Sequence, residues 1–448
     1  AIGSGALLVA TTAADNTAVG TSALAANSSG TDNTAVGYTA GTAVTTGSNN
    51  TFVGDISGVA VTTGASNTAI GADSFKTATT GSHNTALGKQ ALEAATTSSY
   101  NTAVGSNSGA AVTTGTNNVL VGYLAGTALT TGDGNTAVGK SALDATTTAS
   151  NNVAVGLDAL GANSTGTENV AIGAGALDAN TTAHSNIAIG FDAIGGSNTG
   201  ANNIGIGAYA LDANTSGTSN IGVGKYALSA NTTASYNVAV GASALLVNTT
   251  GASNVAVGNG ALGANTTAAN NVGVGMDALG ANTTGTNNVM VGAGAGDAIT
   301  TASNNTGIGH DVLGANTSGD TNTAMGSTAL NTNTTGAANT GIGYAALTAN
   351  TTASNNTAVG ISALAANTTG ASNTAVGGLA GDALTTGSYN TFVGKEAGTG
   401  TTTADSNTAV GESSFTANTT GAANTAIGGN SLALNTTASY NVAMGKNA

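Results

Sequence analysis

The stretch NTAVG at Asn101–Gly105 is one copy of a motif that recurs along the whole 448-residue chain. Its last glycine returns every 17 residues from Gly3 to Gly445, and these 26 intervals contain no insertion or deletion. Asn occupies every matching first position, and Val, Ile, Leu or Met precedes each glycine. A fixed short period is typical of chains that stack one structural unit on the next. We therefore predict one continuous array of about 26 repeats over residues 1–448, in place of the roughly three domains that length alone suggests.

The composition excludes several classes of function. Pro, Cys and Trp are absent, so the chain has neither disulfides nor thiolate metal sites. Hydrophobic residues make up 40% of the chain and fall in fixed columns, which favours order over disorder. The net charge is −14 and no basic patch is visible, so we predict no nucleic-acid partner. No apolar run approaches the ~20 residues of a membrane span, so we predict no membrane insertion in this segment.

Both ends of the sequence fall inside a repeat. The chain begins with Ala1, Ile2 and Gly3, the last three positions of a repeat, and stops after the first three positions of another. Solenoids are shielded by atypical terminal repeats, and neither end resembles one. We therefore expect the array to be uncapped, with ends that meet further sequence or other copies in an end-to-end filament.

Each repeat predicts one coil of a β-solenoid. With position 1 assigned to the residue after the glycine, the consensus is x-x-A-L-x-A-N-T-T-G/A-x-x-N-T/V-A-V-G, as in Thr21–Gly37. Positions 3–9 and 13–17 are short runs between Gly, Asn and Ser, a pattern typical of strands joined by tight turns. No window has helical periodicity. The sequence thus predicts an all-β fold, a parallel β-solenoid or flattened β-roll with two strands and one 17-residue repeat per coil, and coils ~4.8 Å apart.

The invariant residues have structural explanations. Gly at position 17 suits a corner with positive φ or a close approach of another backbone. Asn at position 13 tolerates the left-handed region and can form an amide ladder with its copies in neighbouring coils. We interpret both columns as structural.

Differences between repeats predict what lies inside the coil. Most repeats have Leu at position 4 and Asn at position 7, whereas a second type has Gly at 4 and usually Val, Leu or Ile at 7. Where two coils with Gly at position 4 are adjacent, position 15 between them is large instead of Ala. The three cases are Phe52 between Gly41 and Gly58, Leu120 between Gly109 and Gly126, and Phe392 between Gly381 and Gly398. Because close packing conserves volume, we infer that positions 4 and 15 share one apolar space.

The strand at positions 13–17 is apolar on both faces. Position 15 faces one way, and positions 14 and 16, which are Thr, Val, Ile, Leu or Met, face the other. A strand of this kind needs cover on both sides. One side is the inside of the coil and the other is most simply the same surface of a second copy, so we predict an oligomer wound about a shared axis. The sequence leaves open which face is which.

The motifs resemble two families of fibrous proteins. NVAIG at Asn169–Gly173, NIAIG at Asn186–Gly190 and NVAVG at Asn237–Gly241 resemble the head repeats of trimeric autotransporter adhesins. NTAVG-x-x-AL-x-x-NTTG at Asn356–Gly370 is similar to repeats of phage tail fibres and related surface fibres. The adhesin heads usually have a shorter repeat. The resemblance covers the whole chain and implies a left-handed coil, a homotrimeric fibre and an extracellular, cell-surface or virion location.

The ionisable residues form no recognisable site. His83, His184 and His310 lie in three different columns far apart along the array, without a recurring nucleophile or acid. Aspartates recur at position 5, but copies two coils apart are separated by roughly 10 Å, too far for one cation to bridge. We therefore predict no catalytic, cofactor-binding or metal-binding residue and no cofactor. The position 5 aspartates are Asp144, Asp178, Asp212, Asp297 and Asp382.

The Asn-Thr-Thr and tyrosine columns suggest weaker alternatives. Asn-Thr-Thr at positions 7–9, as at Asn231, matches the N-glycosylation motif. The alternative interpretation is an ordinary column of solvent-facing Asn and Thr side chains. Stacked threonines suggest ice binding, but positions 8 and 9 point to opposite faces and leave a single column. Tyrosines at positions 1 and 12 are scattered along the array, and we interpret them as packing on turns instead of forming one binding patch.

These observations favour a structural or adhesive fibre segment without enzymatic activity. The predicted partner is the chain itself, with a cell-surface receptor or glycan as a possible further partner. The alternative is a secreted ligand-binding solenoid that binds ice or polysaccharide.

Overall fold

The computed structural model describes all 448 residues, and it confirms an all-β parallel β-solenoid with a 17-residue repeat and no helix. The residues form two compact units, Ala1–Gly222 and Val223–Ala448. Each unit consists of 17-residue coils that contribute one three-residue strand apiece at positions 14–16. The strand β13 (Ile221–Val223) includes the residues at the division.

The first unit contains twelve complete strands. They are β1 (Thr17–Val19), β2 (Thr34–Val36), β3 (Thr51–Val53), β4 (Thr68–Ile70), β5 (Thr85–Leu87), β6 (Thr102–Val104), β7 (Val119–Val121), β8 (Thr136–Val138), β9 (Val153–Val155), β10 (Val170–Ile172), β11 (Ile187–Ile189) and β12 (Ile204–Ile206).

The second unit contains thirteen complete strands. They are β14 (Val238–Val240), β15 (Val255–Val257), β16 (Val272–Val274), β17 (Val289–Val291), β18 (Thr306–Ile308), β19 (Thr323–Met325), β20 (Thr340–Ile342), β21 (Thr357–Val359), β22 (Thr374–Val376), β23 (Thr391–Val393), β24 (Thr408–Val410), β25 (Thr425–Ile427) and β26 (Val442–Met444).

Within each unit the strands form a parallel sheet in strict register. Each strand pairs with the same positions of the next coil, as Thr34, Ala35 and Val36 pair with the residues 17 further along. The β-branched residues at positions 14 and 16 favour this extended conformation. The hydrogen bonds that one coil lacks are supplied by its neighbours, which explains why 17 residues with so few large side chains are ordered.

The predicted second strand at positions 3–9 is wrong, because this part of the coil is a series of tight turns. In one coil Ser22 and Leu24 have φ values of 57° and 51°. The Ala25 N–H donates to the Ser22 carbonyl at 3.3 Å, and the Asn27 N–H donates to the Leu24 carbonyl at 3.1 Å. A left-handed non-glycine residue costs about 1–2 kcal/mol, which the burial of a leucine, about 1.5–3 kcal/mol, offsets. We call positions 1–9 the turn side and positions 13–17 the strand side.

The turn side is nonetheless bonded from coil to coil. The Leu24 N–H donates to the Ala40 carbonyl at 3.0 Å, and the Ala26 N–H donates to the Thr42 carbonyl at the same distance. The left-handed residues orient alternate backbone N–H and C=O groups along the stacking direction. The turns therefore form coil-to-coil hydrogen bonds in place of a strand, and these backbone groups are not left unpaired.

The interior lies between the two sides, and the shared space predicted for positions 4 and 15 is confirmed. A Cβ added to Gly41 would lie 2.8 Å from Phe52 Cδ2. The same holds for Gly109 against Leu120 Cδ1 at 2.7 Å. The Phe392 ring fills the corresponding space in the second unit, 2.6 Å from a Cβ on either flanking glycine. Each large side chain therefore occupies the volume that two glycines vacate.

The position 17 glycines satisfy both predicted requirements. Gly105 has a φ of 135°, and a Cβ there would collide with the carbonyl oxygen of Gly122 in the next coil. The glycines thus form a column in which each backbone packs directly on the next.

Candidate interaction surface

The strand side presents a continuous outer face in each unit, and the structure decides which positions form it. Position 15 is fully buried, as Ala35 and Ala103 illustrate. Positions 14 and 16 point outward and are half-exposed, with 37% of Val36 and 42% of Leu87 accessible. Position 15 therefore belongs to the interior of the coil, and positions 14 and 16 form the outer face, which we call the strand face.

The strand face carries no charged residue in any repeat. Position 14 is Thr, Val or Ile throughout, and position 16 is Val, Ile, Leu or Met. All Asp, Glu and Lys residues occupy positions 1, 2, 5, 11 and 12 instead. Isolated exposed apolar residues are ordinary on a soluble protein, whereas a contiguous apolar stripe bordered by polar residues marks an interaction site.

A buried amide ladder stands directly before each strand, as predicted for position 13. The Asn50 side-chain amide donates to Asn33 Oδ1 at 3.0 Å and to the Gly64 carbonyl at 2.9 Å. The same Asn33 Oδ1 accepts the Asn50 backbone N–H at 3.0 Å. The left-handed residue predicted for this position is, however, the preceding one, as Asp32 with a φ of 58° shows. The ladder holds the strand ends in register on both sides.

The asparagines at position 7 form a second ladder and are not the solvent-facing column expected from the sequence. Asn333 is fully buried, and its amide donates to Asn316 Oδ1 at 3.0 Å and to the Gly336 carbonyl at 2.9 Å. Asn231, singled out as a glycosylation motif, is also fully buried. Because a glycan can be attached only to an accessible amide nitrogen, burial argues against glycosylation of the folded array. The signal for burial was present in the second type of coil, where Val or Leu replaces this Asn.

The two threonine columns differ in environment. The hydroxyl of Thr45 at position 8 donates to the Thr62 carbonyl of the next coil at 3.2 Å. Position 9, as at Thr46, is exposed. One column is therefore part of the hydrogen-bonded stack, and the other faces solvent.

The tyrosines at positions 1 and 12 do not pack on turns. More than half of each of their side chains is accessible, and the Tyr100 ring stacks on His83 of the preceding coil, with ring centroids 5.0 Å apart. They remain separate along the chain and build no common patch. The tyrosines are Tyr38, Tyr100, Tyr123, Tyr236, Tyr344, Tyr389 and Tyr440.

The aspartates at position 5 are interleaved with others at position 2, a feature that the sequence analysis missed. Five consecutive coils each carry one aspartate of this series. Burial, followed by repulsion from Asp158, raises the pKa of Asp144. The pKa of Asp212 is raised by burial and then by Asp192 and Asp178. Comparing positions 2 and 5 of successive coils in the sequence would have revealed this series. Its members are Asp144, Asp158, Asp178, Asp192 and Asp212.

The three histidines lie apart, and no three His, Asp or Glu side chains converge on a possible metal position in the 448 residues. His310 Nδ1 lies 3.1 Å from a carboxylate oxygen of its neighbour Asp311. His184 is exposed, and its backbone carbonyl accepts the Asn202 N–H at 3.3 Å. Position 5 aspartates and histidines are thus not brought together.

No helix of the structure has the length and apolar character needed to cross a membrane. Neither a scan against models of known protein families nor a search of curated proteins gives a match to this chain.

Proposed function

We propose that this chain is a segment of a rigid, non-enzymatic fibre that mediates attachment, as the shaft or adhesive head of a phage tail fibre, a bacterial surface adhesin or an extracellular filament. The observation that carries the proposal is the strand face, which is uncharged in every repeat and consists only of β-branched and aliphatic side chains. Its function is mechanical, since stacked coils with interlocked backbones provide the stiffness needed to project a binding surface away from a cell or virion.

In this proposal three copies cover one another's strand faces. Parallel sheets are almost always covered on both faces, and here the outer one is half-exposed in the single chain. Covering apolar area stabilises by about 25 cal/mol per Å², and the gain adds up over every coil. The trimeric state and the left-handed coil come from the resemblance of the NTAVG repeats to adhesin heads and tail fibres.

The turn side then faces outward and would meet a receptor or glycan. It carries the variable residues at positions 1, 2 and 5, whereas the strand face varies only among β-branched and aliphatic residues. In this proposal the strand face, which is uniform from repeat to repeat, serves assembly, and the variable turn side serves recognition in an extracellular setting.

The mass of the protein in solution tests the proposal. Sedimentation at micromolar concentration should give three chains per particle. Replacement of the position 16 residues along the strand face by Lys, Leu87 and Ile172 among them, places charges in many coils and should dissociate the particle, because an unpaired charge is costly to bury. The control is Thr97→Lys at the exposed position 9, which should leave the mass unchanged. A monomeric wild-type protein would contradict the proposal.

A ligand-binding solenoid is the second candidate, favoured by the exposed threonine column at position 9. A regularly spaced row of hydroxyl and methyl groups could meet ice or polysaccharide. Thermal hysteresis or glycan-array binding that disappears on replacing successive threonines of this column by Lys would support it. Binding without any dependence on this column would count against it.

A further inference from the structure

One coil of the first unit, residues 191–207, departs from the regular turn side, and we call it the irregular coil. Its sequence is IGGSNTG at 194–200, whereas the coil of residues 157–173, which we call the reference coil, has LGANSTG at 160–166. The asparagine and the serine have exchanged places. Asn therefore stands at position 8, which is Thr or Ser in every other repeat.

The backbone of the irregular coil bulges and thereby brings this asparagine inside. Asn198 is fully buried, as the position 7 asparagines are in regular coils, and Ser197 is exposed instead. The Thr199 N–H donates to the Thr215 carbonyl at 2.7 Å, which is the position 8 carbonyl that regular coils also use. The residue at position 7 is thus pushed out of the turn, while the coil-to-coil bonding resumes directly after it.

The bulge depends on glycine at position 6. The Gly196 N–H donates to the Asp212 carbonyl at 2.6 Å, and a Cβ on this residue would lie 2.7 Å from the same oxygen. The reference coil has Ala162 at this position, as most repeats have alanine. The missing methyl group and the transposed asparagine therefore belong to one local change in conformation.

The bulge stretches the position 7 ladder. In the reference coil Asn163 Oδ1 accepts the Asn180 amide at 3.0 Å, and the Asn163 amide donates to the Gly166 carbonyl at 3.0 Å. In the irregular coil the Asn198 amide reaches Asn180 Oδ1 only at 3.5 Å. This distance is longer than hydrogen bonds in proteins usually are, so the ladder is weak at this coil.

The position 13 ladder is interrupted next to the same coil. Asn186 of the preceding coil is fully buried, and its amide nitrogen has no hydrogen-bond partner. Equivalent amides donate to the position 10 carbonyl of the next coil, as Asn152 does to Gly166 at 3.0 Å and Asn203 to Gly217 at 2.8 Å. Among the position 13 asparagines of the 448 residues, this is the only buried amide nitrogen left unpaired. An unpaired buried donor destabilises the structure around it.

We propose that the irregular coil is a built-in point of local opening, at which residues 194–200 detach from the adjacent coils while those coils stay folded. Local opening begins where the fewest hydrogen bonds have to be broken. Here both ladders are weakened, and Gly195 and Gly196 gain more backbone freedom on detaching than other residues would. Because the bulge lies on the turn side, its opening does not require the strand faces to separate and does not rest on the proposed fibre. The first unit then contains one compliant joint in an otherwise uniform stack.

Hydrogen exchange of the intact protein, resolved to single amides, tests this assignment. The comparison uses only amides that donate to the next coil in both places, Gly196 and Thr199 in the irregular coil and Ala162 and Ser164 in the reference coil. Protection against exchange reports the free energy of opening. We expect protection in the irregular coil to be at least tenfold lower.

A triple variant of the irregular coil isolates the cause. Gly196→Ala/Ser197→Asn/Asn198→Ser gives residues 195–200 the sequence of residues 161–166, so the variant should fold with a regular turn. Protection in the irregular coil should then rise at least tenfold, to the level of the reference coil.

The reciprocal triple variant is the matched control. Ala162→Gly/Asn163→Ser/Ser164→Asn gives the reference coil the sequence of the irregular one and should lower its protection at least tenfold. Equal protection of the two coils in the unaltered protein overturns the proposal. It is equally overturned if either triple variant leaves protection unchanged, since the transposition would then not be what weakens the coil.

Discussion

The strand side and the turn side of each coil both form hydrogen bonds to the neighbouring coils, but they differ in backbone conformation and in how much their sequence varies. The strand side uses extended residues, a buried asparagine and a glycine that touches the next glycine, and its sequence hardly varies. The turn side uses left-handed residues, as at Ser22 and Leu24, and tolerates charged, aromatic and small residues at positions 1, 2 and 5. Both sides are hydrogen-bonded along the stack. Regular coil-to-coil bonding is therefore compatible with strict uniformity on one side and variation on the other.

The largest expected effect comes from adding one methyl group to each side in turn. Gly105→Ala on the strand side places a Cβ against the Gly122 carbonyl at a φ of 135° and should destabilise the surrounding coils by about 4 kcal/mol or more. Gly378→Ala at position 1 meets no atom within 4 Å and should be nearly neutral. Hydrogen exchange of the neighbouring amides measures both. Equal protection in the two variants would remove the distinction between the sides.

The next largest effect concerns the interior that the two sides share. Phe52→Ala should cost about 3–5 kcal/mol, because a large buried side chain leaves a cavity. Restoring volume from the turn side with Gly41→Leu should recover a substantial part of that loss, since Leu is the common residue at position 4. Thermal unfolding of the single and double variants forms the necessary cycle. Additive losses would show that the two positions fill separate spaces.

A smaller effect is expected for the amide ladder. Asn101→Ala removes the acceptor of the Asn118 backbone N–H and the donor to the Gly115 carbonyl, each at about 3 Å. Leaving these buried groups unpaired should cost about 2–3 kcal/mol. Asn259→Ala, exposed at position 1 on the turn side, is the control and should change the melting temperature little. A similar decrease in the melting temperature of both variants would contradict a stabilising role of the ladder hydrogen bonds.

The smallest effect is the pH dependence of the turn side. Burial, and then repulsion from Asp192 and Asp158, raises the pKa of Asp178 above its unfolded value. The folded state then binds more protons than the unfolded one between the two values, so this group destabilises the fold as pH rises through its folded pKa. Asp178→Asn should stabilise by about 0.5 kcal/mol at pH 7 and have no such effect near pH 3. Melting at both pH values measures the difference, and a gain of equal size at pH 3 would contradict the electrostatic explanation.

The sequence predicted the strand side well and the turn side poorly, for a physical reason. Alternation around NTAVG is a direct signature of a strand, whereas Leu24 adopts a conformation that leucine seldom takes. The clue was the replacement of this leucine by Gly41 and Gly58, which reflects the positive φ as well as the volume. Likewise Val44, where other coils have Asn27, signals that position 7 is buried.

The column of touching glycines also bears on how such a chain can change over evolutionary time. Each coil offers its successor the same backbone contact, as Gly105 does to Gly122, so excising or duplicating 17 consecutive residues among coils of the common type joins two edges that already match. No loop has to be rebuilt and no new interface has to be selected. The length of the array thus becomes a heritable quantity that recombination can adjust in whole-coil steps, independently of the variable residues at positions 1, 2 and 5.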